Sequence, residues 1–222
     1  MSDEIKEKYW SRFSGTYDEN QEYVVGKTFL NEVKRNLNNL TDLGEVLELG
    51  CGTGYFTESI VKNSKHVFAT DLSEELLEKA RERLGDNDKF TFQKENGLAL
   101  TFKSNKFDTV FIANVIHIIE NPQRVLQESY RVLKDNGLLV ITSFTNHGMK
   151  LLEIIKLGFR FIKVWGKPPR HTHFSPDSLC SLIESTGFSI EESRVLGDKT
   201  KSVFIIGKKK NESNSLHKIR TT

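Results

Sequence analysis

The sequence predicts an α/β protein built on a largely parallel sheet with helices on both faces. Three observations predict it. Short apolar runs alternate with segments of helical period from about residue 45 onward, three glycines stand directly after the first run, and two runs near residue 200 read as a closing antiparallel pair. Continuous apolar strands separated by helices need cover on both sides, and crossover helices supply it.

In chain order, Val25, Phe29, Val33 and Leu37 lie on one stripe of a predicted helix, Val24–Leu40. Glu45–Leu49 is the first strand, and Tyr55–Lys62 reads as a helix after the glycines. His66–Thr70 follows as a strand. Ser73–Leu84 then has Leu76, Leu77, Ala80 and Leu84 at helical spacing, with Ser73 poised as the N-cap. Phe90–Lys94 and Phe107–Ala113 are the third and fourth strands. Pro122 suits a first helical turn, and Val125, Leu126, Ser129, Val132 and Leu133 form one face behind it. A turn at Lys134–Gly137 leads into the strand Leu138–Phe144. Leu151–Trp165 is an extra helix; Glu153, Lys156, Arg160 and Lys163 give it too many charges for an ordinary membrane span. Ser175–Ser185 is a helix capped by Ser175-Pro176, and Phe188–Leu196 with Lys201–Lys208 closes the sheet around Gly197-Asp198. These elements make one domain over residues 1–208, with a helical cover at 1–43, a lid insertion at 147–174 and a disordered basic tail at 209–222.

Composition narrows the function classes. With 37% hydrophobic and 28% charged residues, the chain holds a buried core and is not wholly disordered. The net charge is only +2, and its basic surplus lies at the carboxyl end in Lys208, Lys209, Lys210, Lys218 and Arg220, so no basic face recruits nucleic acid. Two cysteines, Cys51 and Cys180, exclude a disulfide framework and fit a reducing compartment. Met1–Lys8 is charged and no apolar run follows it, so a cytoplasmic protein without a secretory leader is expected.

The segment Val46–Thr57, VLELGCGTGYFT, carries the chemistry. Gly50, Gly52 and Gly54 let the chain turn tightly and let a ligand approach the backbone. Asp71, at the end of the second strand, sits beside that loop in a doubly wound sheet and can accept hydrogen bonds from ribose hydroxyls. A nicotinamide or flavin dinucleotide site wants Gly-x-Gly-x-x-Gly, whereas position 55 is Tyr. Glu48 adds a negative charge where a pyrophosphate would be repelled and an amino group or sulfonium welcomed.

With those residues in place, the sequence resembles the class I S-adenosylmethionine-dependent methyltransferases, close to the small-molecule branch of ubiquinone/menaquinone-type enzymes. Four motifs carry the resemblance over about residues 44–145: ELGCGTG at Glu48–Gly54, TDLSEELLEKAR at Thr70–Arg81, FDTV at Phe107–Val110 running on to Asn114-Val115-Ile116-His117, and ESYRVLK at Glu128–Lys134 with Asn136-Gly137. It implies a Rossmann-like seven-stranded sheet of order 3-2-1-4-5-7-6 with strand 7 antiparallel. It also implies S-adenosyl-L-methionine as cofactor, S-adenosyl-L-homocysteine as product, and in-line methyl transfer to a small molecule, mainly through proximity and orientation.

Carried over position by position, the resemblance puts Gly50, Cys51, Gly52 and Gly54 under the methionine part and ribose. Glu48 would order the loop or meet the amino group, Asp71 would bind the ribose and Leu72 would pack on adenine. Asn96-Gly97 departs from the branch's usual Asp-Ala; the Asn96 oxygen still accepts from the adenine amino group. Asn114 would line the methionine pocket. Tyr17, within the aromatic stripe Tyr9, Trp10, Phe13 and Tyr17, either shields the sulfonium or packs its helix on the core.

Candidate catalytic residues are His117, at the carboxyl end of the fourth strand, and His171 and His173 in RHTHFSP; each reads equally as a packing or loop residue. No metal is expected, because His-x-His with distant Cys180 lacks a zinc spacing. The acceptor expected is small and apolar or aromatic, and the chain a monomer or homodimer. RNA or protein methylation, a dinucleotide-dependent oxidoreductase and a cofactor-binding module without activity stay open as alternatives.

Overall fold

The computed structural model describes residues 8–85, 87–167 and 172–210. Its sheet has seven strands in the order β3-β2-β1-β4-β5-β7-β6. They are β1 (Gly44–Leu49), β2 (Ser64–Asp71), β3 (Phe90–Lys94), β4 (Phe107–Ala113), β5 (Leu133–Thr145), β6 (Phe188–Leu196) and β7 (Lys201–Lys209). The pairs among β1 to β5 are parallel, and β7 runs antiparallel to both β5 and β6. Order and strand sense agree with the expected sheet.

Side chains alternate across the central strands, and both sides are dry. Val46, Phe111, Val140 and Phe204 point to one face. Leu47, Val110, Leu139 and Ile205 point to the other, and none of these eight exceeds 1% exposure. Full burial of such side chains stabilises by about 1.5–3 kcal/mol each, which is why the strands read as unbroken apolar runs. The first face is covered by α1 (Tyr17–Val25), α2 (Lys27–Asn38), α3 (Thr57–Ile60), α4 (Glu74–Leu84) and the end of α6 (Leu151–Trp165). The second is covered by α5 (Pro122–Val132) and α7 (Pro176–Glu184). Ser73 Oγ accepts the Leu76 N–H at 3.2 Å and Asn121 Oδ1 the Arg124 N–H at 3.0 Å, so α4 and α5 start where their caps lie.

Four boundaries differ from expectation. The helix expected over Val24–Leu40 is two helices parted at Gly26, whose φ of 90° is non-helical. Both helices pack on the same core, so the apolar spacing runs through the break. Tyr55–Lys62 shortens to α3 and a 3₁₀ turn at Val61–Asn63, because residues 52–56 remain in turns after the glycines. The turn at Lys134–Gly137 lies inside β5 as a bulge: Phe107 pairs with Leu133 but Thr109 with Leu138, and Asn136 has φ 62°. Lys209, placed in the tail by the sequence, ends β7 instead. It is buried and its Nζ donates to the Leu133 carbonyl at 2.7 Å and to Asn105 Oδ1 at 2.9 Å. Residues 211–222 lie outside the described residues.

Candidate functional site

The strand order switches between the parallel strands β1 and β4: β2 and β3 lie to one side of β1, and β4 and β5 to the other. The carboxyl ends of strands at such a point open a crevice. A cavity of about 520 Å³ lies there.

Its floor is the glycine loop. The Thr70 carbonyl accepts the N–H groups of Gly50 at 2.8 Å and Cys51 at 2.9 Å, which folds the loop back on the end of β2. Gly50 has φ 73°, and a Cβ there would overlap Val115 Cγ2; only glycine fits. Asp71 then joins three segments. Its Oδ2 accepts the Gly52 N–H and its Oδ1 the Ser73 N–H, both at 2.9 Å. Asp71 thereby holds the loop and the start of α4 together where it lines the cavity.

The adjoining wall is the loop after β3. Asn96 Oδ1 accepts the Leu98 N–H at 3.0 Å, an Asx turn that holds Asn96 and Gly97 on the cavity. Buried Glu95 accepts from the Thr101 N–H at 3.1 Å. Glu128 and Arg131, inside the ESYRVLK motif, brace this loop from behind. Glu128 Oε2 accepts the Leu100 N–H at 2.9 Å, and Arg131 donates to the carbonyls of Phe102 at 2.7 Å and Leu100 at 3.0 Å. The Arg131 guanidinium, with the Leu100 N–H, holds the Glu128 carboxyl below its ordinary range.

Beyond β4, Asn114 has φ 56° and its N–H donates to the Thr142 carbonyl at 2.8 Å. Among the described residues its buried Oδ1 has no hydrogen-bond partner, and neither has Oε1 of buried Gln21, which lines the same cavity. Both residues line the cavity, and acceptors left without a partner beside it suit a ligand that brings donors, such as an ammonium group. His117 is buried at the same rim, its Nδ1 3.1 Å from Ser143 Oγ. The Thr172 N–H donates to the His117 carbonyl at 2.7 Å, which brings His173 to the same cavity.

The roof is aromatic. Tyr17 lies 5.9 Å from Trp165 between ring centroids, and Trp10 packs edge-on to both. Burial, with the Asp71 charge adding to it, pushes the Tyr17 hydroxyl up, so it stays neutral near neutrality. Asp18, the next residue, ties this roof to the floor: it accepts from Thr53 Oγ1 at 2.6 Å and pairs with Arg83 of α4.

Tyr17, Gly50, Gly52, Asp71, Leu72, Asn96, Gly97, Asn114, His117 and His173 therefore line one cavity. Glu48, Cys51 and Gly54 are not among its lining residues. Glu48 is 1% exposed, its Oε2 accepts from Thr57 Oγ1 at 2.7 Å, and burial pushes its carboxyl up to about 8. Burial thus works against the charge expected to repel a pyrophosphate, and Glu48 orders the loop from within. Burial likewise raises the Cys51 thiol, which suits a packing residue, while Gly54 sits against Leu84 and Ala80. His171 lies outside the described residues. Trp165 of the expected lid also lines the cavity, and Gln21, Glu95 and Phe144 do so without having been singled out by the sequence. Their spacing marks them only as core or helix surface.

Comparison with known proteins agrees with this geometry. Residues 47–141 match the methyltransferase domain family. A demethylmenaquinone methyltransferase of Clavibacter sepedonicus is 34% identical over 108 residues, 49% of this chain and 44% of the relative. A ubiquinone/menaquinone biosynthesis C-methyltransferase of Allorhizobium ampelinum is 34% identical over 136 residues, 58% of this chain and 50% of the relative. The chain spans about half the length of these curated relatives. A possible histamine N-methyltransferase of Thermotoga maritima superposes with a TM-score of 0.72 at 23% identity, covering 91% of this chain and 99% of that one. At that identity the likeness concerns the fold.

Proposed function

We propose, for a chain that carries a class I S-adenosylmethionine-dependent methyltransferase domain, that it transfers a methyl group to a small apolar acceptor, of the aromatic or quinol-ring kind. The observation that carries this reading is the cavity lined together by Asp71, Asn114, Gln21 and the aromatic roof. When bound, S-adenosylmethionine supplies an electrophilic methyl group on a sulfonium.

The chain's own residues bind and orient. Asp71 accepts from the ribose hydroxyls, and the Asn96 loop borders the adenine. Asn114 Oδ1 and Gln21 Oε1 accept from the ammonium of the methionine part. Tyr17, Trp10 and Trp165 exclude water, and their ring faces favour a cation. Orientation of two reactants supplies about 7–11 kcal/mol of barrier reduction, so no elaborate catalytic set is required. His117, held through Nδ1 by Ser143, takes the proton when the acceptor arrives protonated.

The acceptor class rests on the cavity's other half. Ile154, Leu157, Phe161 and Ile162 of α6, with Phe144 and Val25, are apolar, and His117, His173 and Asn146 supply the polar groups. The family match ends at residue 141, before α6, so this lining supports the reading independently of the relatives.

Two measurements test it. S-adenosylhomocysteine should raise the melting temperature by mass action while NADH does not; the reverse would replace the reading with a dinucleotide enzyme. Labelled methyl from S-adenosylmethionine, incubated with a metabolite extract, should appear in an organic-extractable product. Label found only in precipitated RNA or protein would overturn the small-molecule acceptor.

A further inference from the structure

Helix α6 has three longitudinal stripes, and the cavity uses one of them. Ile154, Leu157, Gly158, Phe161 and Trp165 face the cavity. Leu151, Leu152, Ile155, Phe159 and Ile162 point outward on the neighbouring arc, where Phe159 is 77% and Ile162 61% exposed. Buried apolar stripes are ordinary in a helix; an outward one of five large side chains is not.

The third stripe is basic. Lys156, Arg160 and Lys163 follow one another up the helix beside the apolar arc. Among the described residues their partners are held at long distances: Glu153 for Lys156 at 3.4 Å, the Tyr23 carbonyl for Arg160 at 3.5 Å, and for Lys163 the Tyr23 hydroxyl at 3.4 Å with the Tyr23 ring 5.4 Å away. Lys199, from the turn between β6 and β7, joins Lys156 and Arg160 around an open groove that includes Ile155 and Phe159. From Lys150 to Lys167 the chain carries five cations against the single carboxylate of Glu153, in a protein of net charge +2.

We propose that this face of α6 docks on an anionic lipid surface. An apolar arc bordered by lysine and arginine is the pattern of a helix that lies in the bilayer interface, its side chains in the acyl boundary and its cations at the phosphates. Among the described residues no helix is long and apolar enough to cross a membrane, so the docking is peripheral. Ile162 belongs to both the outer arc and the cavity lining. Docking therefore holds the cavity mouth at the bilayer, where an apolar acceptor dissolves. This deepens, and rests on, the methyl-transfer reading above.

The test is co-sedimentation of the full chain with phosphatidylcholine vesicles, with and without phosphatidylglycerol. The wild type should pellet with the anionic vesicles and be released by salt. The variant Leu152→Gln/Ile155→Gln/Phe159→Gln, whose sites lie off the cavity, should partition about tenfold more weakly or worse. Lys156→Glu/Lys163→Glu should lose the preference for anionic lipid. Both variants should keep the melting-temperature rise with S-adenosylhomocysteine, which shows them folded. A wild type that binds neither vesicle, or an apolar-arc variant that binds as well as wild type, overturns the docking and leaves methyl transfer standing. A dimer in sedimentation velocity that the apolar-arc variant dissolves, without vesicle binding, assigns the face to a second copy and also overturns it. Loss of the S-adenosylhomocysteine response in the wild type would instead sink the methyl-transfer reading.

Discussion

Asp71→Asn isolates the residue on which the cofactor site turns. The wild-type carboxylate accepts one backbone N–H on each oxygen, from Gly52 and from Ser73, both at 2.9 Å. Asparagine keeps the shape but offers one oxygen, so one of those N–H groups faces an NH₂ donor. A hydrogen bond to a charged acceptor is worth about 1.5–3 kcal/mol. The free protein should lose about 2 kcal/mol, which in a chain of this size lowers the melting temperature by about 4–8 °C. A ribose hydroxyl that loses the same charged acceptor weakens S-adenosylhomocysteine binding by a similar increment, about 10- to 150-fold in Kd. Isothermal titration of wild type and variant, well below both melting temperatures, reads this directly. A melting temperature that falls while Kd stays within about threefold would refute the ribose role and leave Asp71 as a loop brace. If neither changes, the hydrogen-bond geometry itself is wrong.

The other predictions concern the shell behind the site. Burial keeps Glu48 protonated to about pH 8 in the folded state against 4.5 for an ordinary carboxyl. The folded protein then holds the extra proton between those values, and stability falls across the window by up to about 1.4 kcal/mol per pH unit. Glu48→Gln keeps an acceptor for Thr57, so its melting temperature should gain on wild type from about pH 5 to about pH 9; a constant difference would contradict the burial. Glu128 works with the opposite sign. Its carboxyl is held low chiefly by Arg131, so its contribution is present above about pH 4.5 and is lost as acid protonates it. Urea midpoints should fall more between about pH 6 and about pH 3 in wild type than in Glu128→Gln. Gly50→Ala places a side chain at positive φ against Val115 and should cost about 2–5 kcal/mol, whereas Gly97→Ala, 3.6 Å from Val125, should melt within a degree or so of wild type. Equal melting temperatures would remove the close approach at Gly50.

Much of the fold is legible in the sequence because its strands are buried on both faces. Residues such as Val46 and Leu47, or Val110 and Phe111, must all be apolar when consecutive side chains enter opposite cores. The break at Gly26 was illegible for the complementary reason: packing continues across it, and apolar spacing records which face is buried, not where the backbone departs from regular geometry. At Lys134–Gly137 the turn residues were legible, but not that β5 runs through them as an irregularity in its pairing with β4.

The site divides along the same line. Gly50, Gly52, Asp71 and His117 could be picked out because each sits at or just beyond the carboxyl end of a strand, where the parallel sheet dictates that ligands bind, and Asn96 and Asn114 through the family resemblance. Gln21, Glu95 and Phe144 could not, since their spacing marks them only as helix surface or core until the chain is folded around the cavity. Glu48 shows the limit most clearly. Its place beside the glycines was evident, but its charge state was not, because a carboxylate's ionisation depends on how much water the packed chain leaves around it. Local residue order alone determined the sheet, the loop and the carboxylate at its edge. Only the tertiary structure decided what roofs the cavity, which acceptors stay unpaired within it and which face of α6 meets the solvent, because these depend on contacts between segments more than a hundred residues apart.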